Sequence, residues 1–369
     1  MLDLKSQYRS LAGEIEIAVR QVLESQQLIL GPEVKELEKE IAAYCQCEYA
    51  VGCASGSDAL VLALMAFGIG PGDEVVTTPF TFFATVGAIV RLGAKPVFVD
   101  IDPQTFNLNV SQLASVVTDR TRAIMPEHLF GQCVEMDVVC DVASRVGAVV
   151  IEDAAQAIGS EYRGRRAGSL GDVAAFSFYP SKNLGGAGDG GMLTTNRSNV
   201  AEELRVLRAH GAKQKYYHVS VGVNSRLDAV QAAILRVKFR YLDGWSEARR
   251  ANAARYEQLF ADMGLAGEER IILPTVGKGQ RHVFNQYMIR AQRRDALRSF
   301  LTDCGIGTEI YYPLPMHLQT CFEGMGYREG DFIESEKAAR EVLAIPIYPE
   351  LTPEDQTYIV SSIARFYND

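Results

Sequence analysis

The stretch Phe176-Ser177-Phe178-Tyr179-Pro180-Ser181-Lys182-Asn183-Leu184-Gly185-Gly186 decides the reading of this chain. Its apolar part, counted back to Val173, reads as a buried strand, and the strand delivers one lysine into a glycine-rich loop. Lys182 stands between Pro180-Ser181 and Asn183, on no obvious solvated helix face. Desolvation lowers a lysine's pKa and makes it a nucleophile. An exposed loop lysine is the ordinary alternative. Gly185, Gly186, Gly188, Gly190 and Gly191 let the backbone turn tightly past a ligand, and Ser177, five residues before the lysine, can reach a phosphate.

Outward from there, short apolar runs alternate with helical patterns from about Tyr49 to Val206. Strands are predicted at Tyr49–Cys53, Glu74–Thr77, Pro96–Asp100, Arg122–Met125, Ala148–Glu152, Val173–Phe178 and Gly191–Thr195. Helices are predicted at Ser57–Phe67, Thr81–Val90, Met136–Val146 and Glu202–Ala209, after two N-terminal helices at Leu11–Gln26 and Pro32–Cys45. Continuous apolar strands alternating with helices specify an α/β fold with a mostly parallel sheet covered on both faces. A long helical pattern follows from Leu227 to Phe260, with a break expected near Asp243-Gly244. Beyond it the pattern changes to a strand at Val283–Arg290, a helix at Arg294–Asp303, a strand at Gly307–Ile310, and helices at Ile333–Leu343 and Pro353–Phe366. The expected division is residues 1–249, N-terminal helices and a large domain, and residues 250–369, a smaller α+β domain.

The 369 residues suffice for two or three domains, and 47% of them are hydrophobic, ample for a buried core. The net charge of −9 and the lack of Lys/Arg runs exclude a nucleic-acid binder. No stretch of about 18 apolar residues predicts a membrane span, and the N-terminus does not read as a signal peptide. Seven scattered cysteines without C-x-x-C spacing fit reduced, buried thiols in a cytoplasmic protein, and no metal site is expected.

Two further segments carry chemistry. In Ser55-Gly56-Ser57-Asp58-Ala59-Leu60 a strand turns through small residues into a helix, and the free amides there suit a phosphate; an ordinary capped helix is the alternative. In Ile151-Glu152-Asp153-Ala154-Ala155-Gln156, Asp153 sits just past a buried strand, at the sheet edge where ligands bind. A carboxylate there can keep a pyridinium nitrogen protonated, as pyridoxal 5'-phosphate requires, while a helix cap remains the alternative. Gln156, three residues on, can reach the ring hydroxyl.

With Ile29-Leu30-Gly31-Pro32-Glu33-Val34, Pro79-Phe80-Thr81-Phe82-Phe83-Ala84-Thr85, Gly188-Asp189-Gly190-Gly191 and Gly222-Val223-Asn224-Ser225-Arg226-Leu227-Asp228, these segments resemble the DegT/DnrJ/EryC1/StrS family of sugar aminotransferases over nearly the whole chain. The resemblance implies the fold-type I, aspartate aminotransferase-like architecture and pyridoxal 5'-phosphate as cofactor, passing through pyridoxamine phosphate. It implies that Lys182 forms the Schiff base, that Asp153 pairs with the pyridine nitrogen, that Gln156 contacts the ring oxygen and that Phe82 stacks on the ring. It gives the phosphate to Gly56, Ser57 and Ser177, and to Asn224 from a second subunit, hence a homodimer. Arg226 then meets the substrate or the donor's carboxylate. Without the resemblance, Phe82 reads first as a core aromatic, and Arg226 reads equally as an ion-paired surface or interface residue. Val223 stands where the family often has Tyr, and Lys182 stands where dehydratase relatives have His.

The implied reaction is amine transfer from an amino acid, L-glutamate, to a nucleotide-linked keto-sugar, with 3-keto favoured over 4-keto. The alternatives are a sugar deoxygenase or dehydratase and a non-catalytic regulatory protein. Further substrate contacts are expected from His128, which follows a strand, and from Tyr311, Tyr312 and His317 in the small domain. For His128 a satisfied structural histidine is the competing reading, and for the other three, interface packing. His210-Gly211 reads as a helix C-cap or a further contact.

Overall fold

The computed structural model describes residues 2–267 and 270–368. Seven strands form the central sheet: β1 Tyr49–Cys53, β2 Glu74–Thr77, β3 Lys95–Phe98, β4 Thr121–Ile124, β5 Val149–Asp153, β6 Val173–Ser177 and β7 Gly191–Thr195. Their spatial order is β1-β7-β6-β5-β4-β2-β3. All neighbours from β6 to β3 pair in parallel, and β7 runs antiparallel between β6 and β1.

Alternate residues along these strands feed the two faces of one core built around the sheet. Ala50, Val76, Val150, Ala174 and Met192 join one, packed against helices Pro32–Tyr44, Met136–Val146 and Ala229–Phe239. Val51, Val75, Ile151, Ala175 and Leu193 join the other, under helices Gly56–Ala66, Phe83–Arg91 and Ser198–Leu207. A sheet buried on both faces explains why these strands read as unbroken apolar runs. No helix among the described residues is long and apolar enough to cross a membrane. The seven cysteines are free thiols, and no group of potential metal ligands occurs among the described residues.

A second core gathers around Tyr256, Phe260, Tyr287, Ile289 and Leu343. Its sheet is antiparallel, with β9 Tyr287–Ala291 between β8 Ile271–Ile272 and β10 Val342–Ile345. Several expected elements shift here. The strand expected from Val283 begins at Tyr287, and Gly307–Ile310 contributes a single bridge, Glu309 to Ala344. The helix expected at Ile333–Leu343 stops at Glu341, where β10 takes over. A run of four buried apolar residues has no period to separate strand from helix, and pairing with β9 decides it. The long helix breaks at Arg240–Tyr241, ahead of the expected Asp243-Gly244, and both residues at the break bond Glu14 of the first helix.

The two cores are tied by an unusual cap. Asp100, after β3, accepts hydrogen bonds from the amides of Glu334 and Ser335 at 2.9 Å and from Ser335 Oγ at 2.5 Å. It thus satisfies orphan amides at the start of helix Ile333–Glu341 from 234 residues away. Asp100→Ala should lower stability by about 1–2 kcal/mol, the usual cost of a lost N-cap, read as a lower urea midpoint; Asp100→Asn should recover part of the loss.

Candidate active site

The C-terminal edge of the parallel strands is the place where an open α/β sheet offers side chains to a ligand. A cavity of about 470 Å³ opens there, lined by Ser55, Gly56, Ser57, Phe82, Glu127, Asp153, Gln156, Ser177, Lys182, Gln286, Tyr311 and Tyr312 among others. Residues far apart in the chain meet because β1, β4, β5 and β6 all end at this edge.

Gly56 and Ser57 head the helix Gly56–Ala66, with Ser55 as its cap accepting from the Asp58 amide at 3.1 Å. Ser177 closes β6 directly beside them. A Cβ on Gly56 would stand 2.6 Å from Ser177 Cβ and 3.0 Å from its Oγ, so only glycine lets the helix start and the hydroxyl share one cradle. The lysine loop is held from several sides: the Lys182 amide bonds Tyr179 O at 2.9 Å, the Gly186 amide bonds Phe178 O at 2.8 Å, and Asn183 Nδ2 bonds Val283 O at 3.0 Å. Lys238 reaches in to bond Gly185 O. Among the described residues no hydrogen bond or ion pair engages the Lys182 ammonium. Burial pulls its pKa below the ordinary lysine value, against the opposing charges of Glu127 and Asp153.

Asp153 ends β5, with Thr85 Oγ1 donating to it at 2.8 Å and the Ala155 amide at 3.2 Å. Burial pushes its carboxyl upward, while Thr85, Ala155 and Lys182 pull the other way. The Phe130 amide donates to Gln156 Oε1 at 2.8 Å, which turns the Gln156 NH₂ toward Tyr312 OH, 3.0 Å away. Gln156 therefore offers donors to the cavity. Phe82, 52% exposed, lies with its ring 6.1 Å from that of Tyr312.

Two expected substrate contacts need correcting. His128 is fully buried on the other side of the sheet, with Nε2 3.0 Å from Glu152 Oε2 and Nδ1 accepting from the Val134 amide at 3.2 Å. The structural reading of His128 holds, because adjacent residues on an extended strand point to opposite faces. His317 is also buried, paired with Glu336 at 3.1 Å and packed edge-on against Phe332, away from the cavity. Asn224 is exposed and Arg226 half-buried, and neither lines the cavity within one chain. His210 lies just past helix Ser198–Leu207, whose C-cap is Arg208; its amide bonds Val223 O, and it is the Gly211 amide that returns to Val206 O of the helix.

The residue the motif reading missed is Glu127. It forms a parallel bridge with Asp153, so the two carboxylates sit side by side on one face. Its carboxyl is held well above the ordinary range, first by burial and then by the charge of Asp153. The chain carried half of the signal. Counting by twos groups Ala123, Met125 and Glu127 on one side and His128 on the other, but only the register of β4 against β5 puts the Glu127 set on the side of Ile151 and Asp153.

A family model described as the DegT/DnrJ/EryC1/StrS aminotransferase family matches residues 9–364. The chain is 53% identical to a pleiotropic regulatory protein of Geobacillus stearothermophilus, covering 100% of this chain and 98% of that one. It is 44% identical to the dTDP-3-amino-3,4,6-trideoxy-alpha-D-glucose transaminase of Streptomyces venezuelae, covering 99% and 95%. It superposes with a TM-score of 0.96, at 43% identity and over 100% and 98% of the two chains, on the crystal structure of S. venezuelae DesV in complex with a ketimine intermediate. Solved structures at 25–31% identity exist in pyridoxal-phosphate and pyridoxamine-phosphate forms.

Pyridoxal phosphate is the cofactor, and the cavity suits it. It offers free helix amides and a hydroxyl at the one point where a Cβ does not fit, a buried carboxylate, inward amide donors and an unengaged lysine. Gly56→Ala should push Ser177 off the helix start and weaken pyridoxal phosphate retention about tenfold or more, as expected for about 1–3 kcal/mol of lost hydrogen bonding. Equilibrium dialysis against the free cofactor, with circular dichroism as the control for folding, measures it.

Proposed function

The chain belongs to the DegT/DnrJ/EryC1/StrS aminotransferase family, and from that premise we propose that it moves an amino group from L-glutamate to the carbonyl of a nucleotide-linked 3-keto sugar. Transamination of nucleotide sugars is the common activity of its relatives. The 3-keto assignment draws on the 3-amino product in the name of the S. venezuelae relative. The observation that carries the reading is the single cavity shared by Lys182, Asp153 and the Gly56–Ser177 cradle.

Pyridoxal phosphate, when bound, supplies the electron sink that makes the substrate Cα–H acidic and the carbonyl that stores the amine between the two half-reactions. The protein's own residues do the rest. Gly56, Ser57 and Ser177 hold the phosphate at a helix N-terminus, where bare amides and the helix dipole favour an anion. Asp153 would keep a proton on the ring nitrogen. Gln156 would donate to the ring oxygen from an amide that Phe130 has already oriented. Lys182 would hold the cofactor covalently; released when the donor's amine takes its place, its free amine would take the proton from the donor's α-carbon and, in the second half-reaction, give one to the sugar carbon that receives the amine. Its lowered pKa favours the free amine needed for both tasks. Phe82 covers one ring face, and Tyr311 and Tyr312 close the cavity from the small domain and exclude water. Arg226 grips the donor's carboxylate or the substrate.

Asn224 belongs to this scheme as a phosphate contact of a second copy, which makes the working form a homodimer. Cytoplasmic placement and a division into residues 1–249 and 250–369 complete the reading; residue 250 falls within the helix Leu242–Asp262. A second reading, a regulatory protein, is favoured by the name of the Geobacillus relative.

The test is to supply L-glutamate with dTDP- or UDP-linked 3-keto and 4-keto sugars and to locate the new amine by NMR. An amine at C3 is expected. An amine at C4 would overturn the regiochemistry, and no amine with either sugar would favour the regulatory reading. Lys182→Ala should lose the visible band of lysine-bound cofactor and all turnover, and full turnover in that variant would remove Lys182 from its role.

A further inference from the structure

Glu127 and Asp153 are cross-strand partners at the open end of the sheet, 1% and 2% exposed. Two hydroxyls join their carboxyls. Thr81 Oγ1 bonds Glu127 Oε2 and lies 2.7 Å from Thr85 Oγ1, which lies 2.8 Å from Asp153 Oδ2. The result is an unbroken chain of carboxyl, hydroxyl, hydroxyl and carboxyl, with three oxygen–oxygen contacts.

Each contact needs one proton, and a threonine hydroxyl has one to give. Two hydroxyls cannot fill three contacts. With both carboxyls ionised, one pair of oxygens would meet lone pair to lone pair at hydrogen-bond distance inside the protein. One carboxyl must carry the third proton. Asp153 takes the Thr85 hydroxyl on one oxygen and the Ala155 amide on the other, both at hydrogen-bond distance. Beyond Thr81, Glu127 has a long 3.4 Å contact from Gln156 Nε2 and the Phe82 amide, which burial and the charge of Asp153 outweigh. The other titratable groups facing the pair are Lys182, Tyr312 and, behind Asp153, His128. Like charges this close cannot both ionise cheaply in a dry site.

We propose that Glu127 and Asp153 share a single acid proton, held on Glu127, and that Glu127 donates along Thr81 and Thr85 as a positioning residue that keeps Asp153 the anion of the site. The chain then runs in one direction: Glu127 to Thr81, Thr81 to Thr85, Thr85 to Asp153. At its other end Glu127 meets the Gln156 amide, so one network spans both polar edges proposed for the cofactor ring. The catalytic meaning rests on the proposed pairing of Asp153 with the ring nitrogen, whereas the proton count stands without it.

Infrared spectroscopy of the full-length holoenzyme tests the count directly. The difference between wild type and Glu127→Gln at neutral pH should contain the carbonyl stretch of a protonated carboxylic acid. Glutamine preserves the chain, because its NH₂ donates to Thr81 as the acid does. Labelling the glutamate side-chain carboxyls with carbon-13 should move the band to lower frequency, and Thr81→Val should shift it to higher frequency as the acid loses its acceptor. A difference spectrum without the band, or a band that carbon-13 on aspartate moves and carbon-13 on glutamate does not, overturns the proposal. The same measurement on protein without cofactor separates this result from failure of the aminotransferase reading. For the positioning role, the visible absorbance is titrated toward alkaline pH. Ionisation of Glu127 adds a negative charge beside Lys182, so wild type should show a transition that Glu127→Gln lacks. Identical titrations would remove the role.

Discussion

A carboxylate buried at a sheet edge survives as an anion only if donors surround it, and the site is built on the donors given to Asp153. The hydroxyl of Thr85 comes from the first turn of helix Phe83–Arg91, and the Ala155 amide comes from the turn after β5. Both depend on the parallel register of β4 against β5, which continues past the end of β4 to set Glu127 beside Asp153. The phosphate cradle follows the same logic one strand over. Ser177 can stand against the helix start because β6 and β1 flank β7 in register, with Ser177 and Cys53 both opposite Gly191.

The cavity also needs its roof. Tyr312 reaches Gln156, the Met316 amide bonds Pro79 O at 2.7 Å, and Asp100 caps the helix that leads into β10. These contacts cross between the two cores, so packing of the C-terminal part and dryness of the cavity are coupled. A dry cavity strengthens every charge interaction within it, including the pull of burial on Lys182 and Glu127.

Sequence patterns located most of this framework. Strands β1, β2 and β7 and the helix Met136–Val146 have the expected bounds, since apolar runs between clear turn residues leave little choice. The C-terminal part was harder to read. The β10 run continues a helical pattern without a change of composition, and its strand state comes from β9 lying next to it. The helix break at Tyr241 has no glycine or proline to mark it, whereas Gly244, which suggested a break, sits inside a helix.

By itself the sequence determined the fold class, the lysine, the strand-end aspartate and the glycine cradle, because each is a local pattern with a local physical cause. Periodicity makes the strands, and small residues make the turns that let backbone approach a ligand. Only the tertiary structure decided which of two neighbouring residues, Glu127 or His128, faces the cavity. Both follow the same strand, and a shift of one residue exchanges the faces. It also decided that Thr81 and Thr85 join two carboxyls, since a chain of hydrogen bonds exists only where three separate segments are held within a few ångströms of one another.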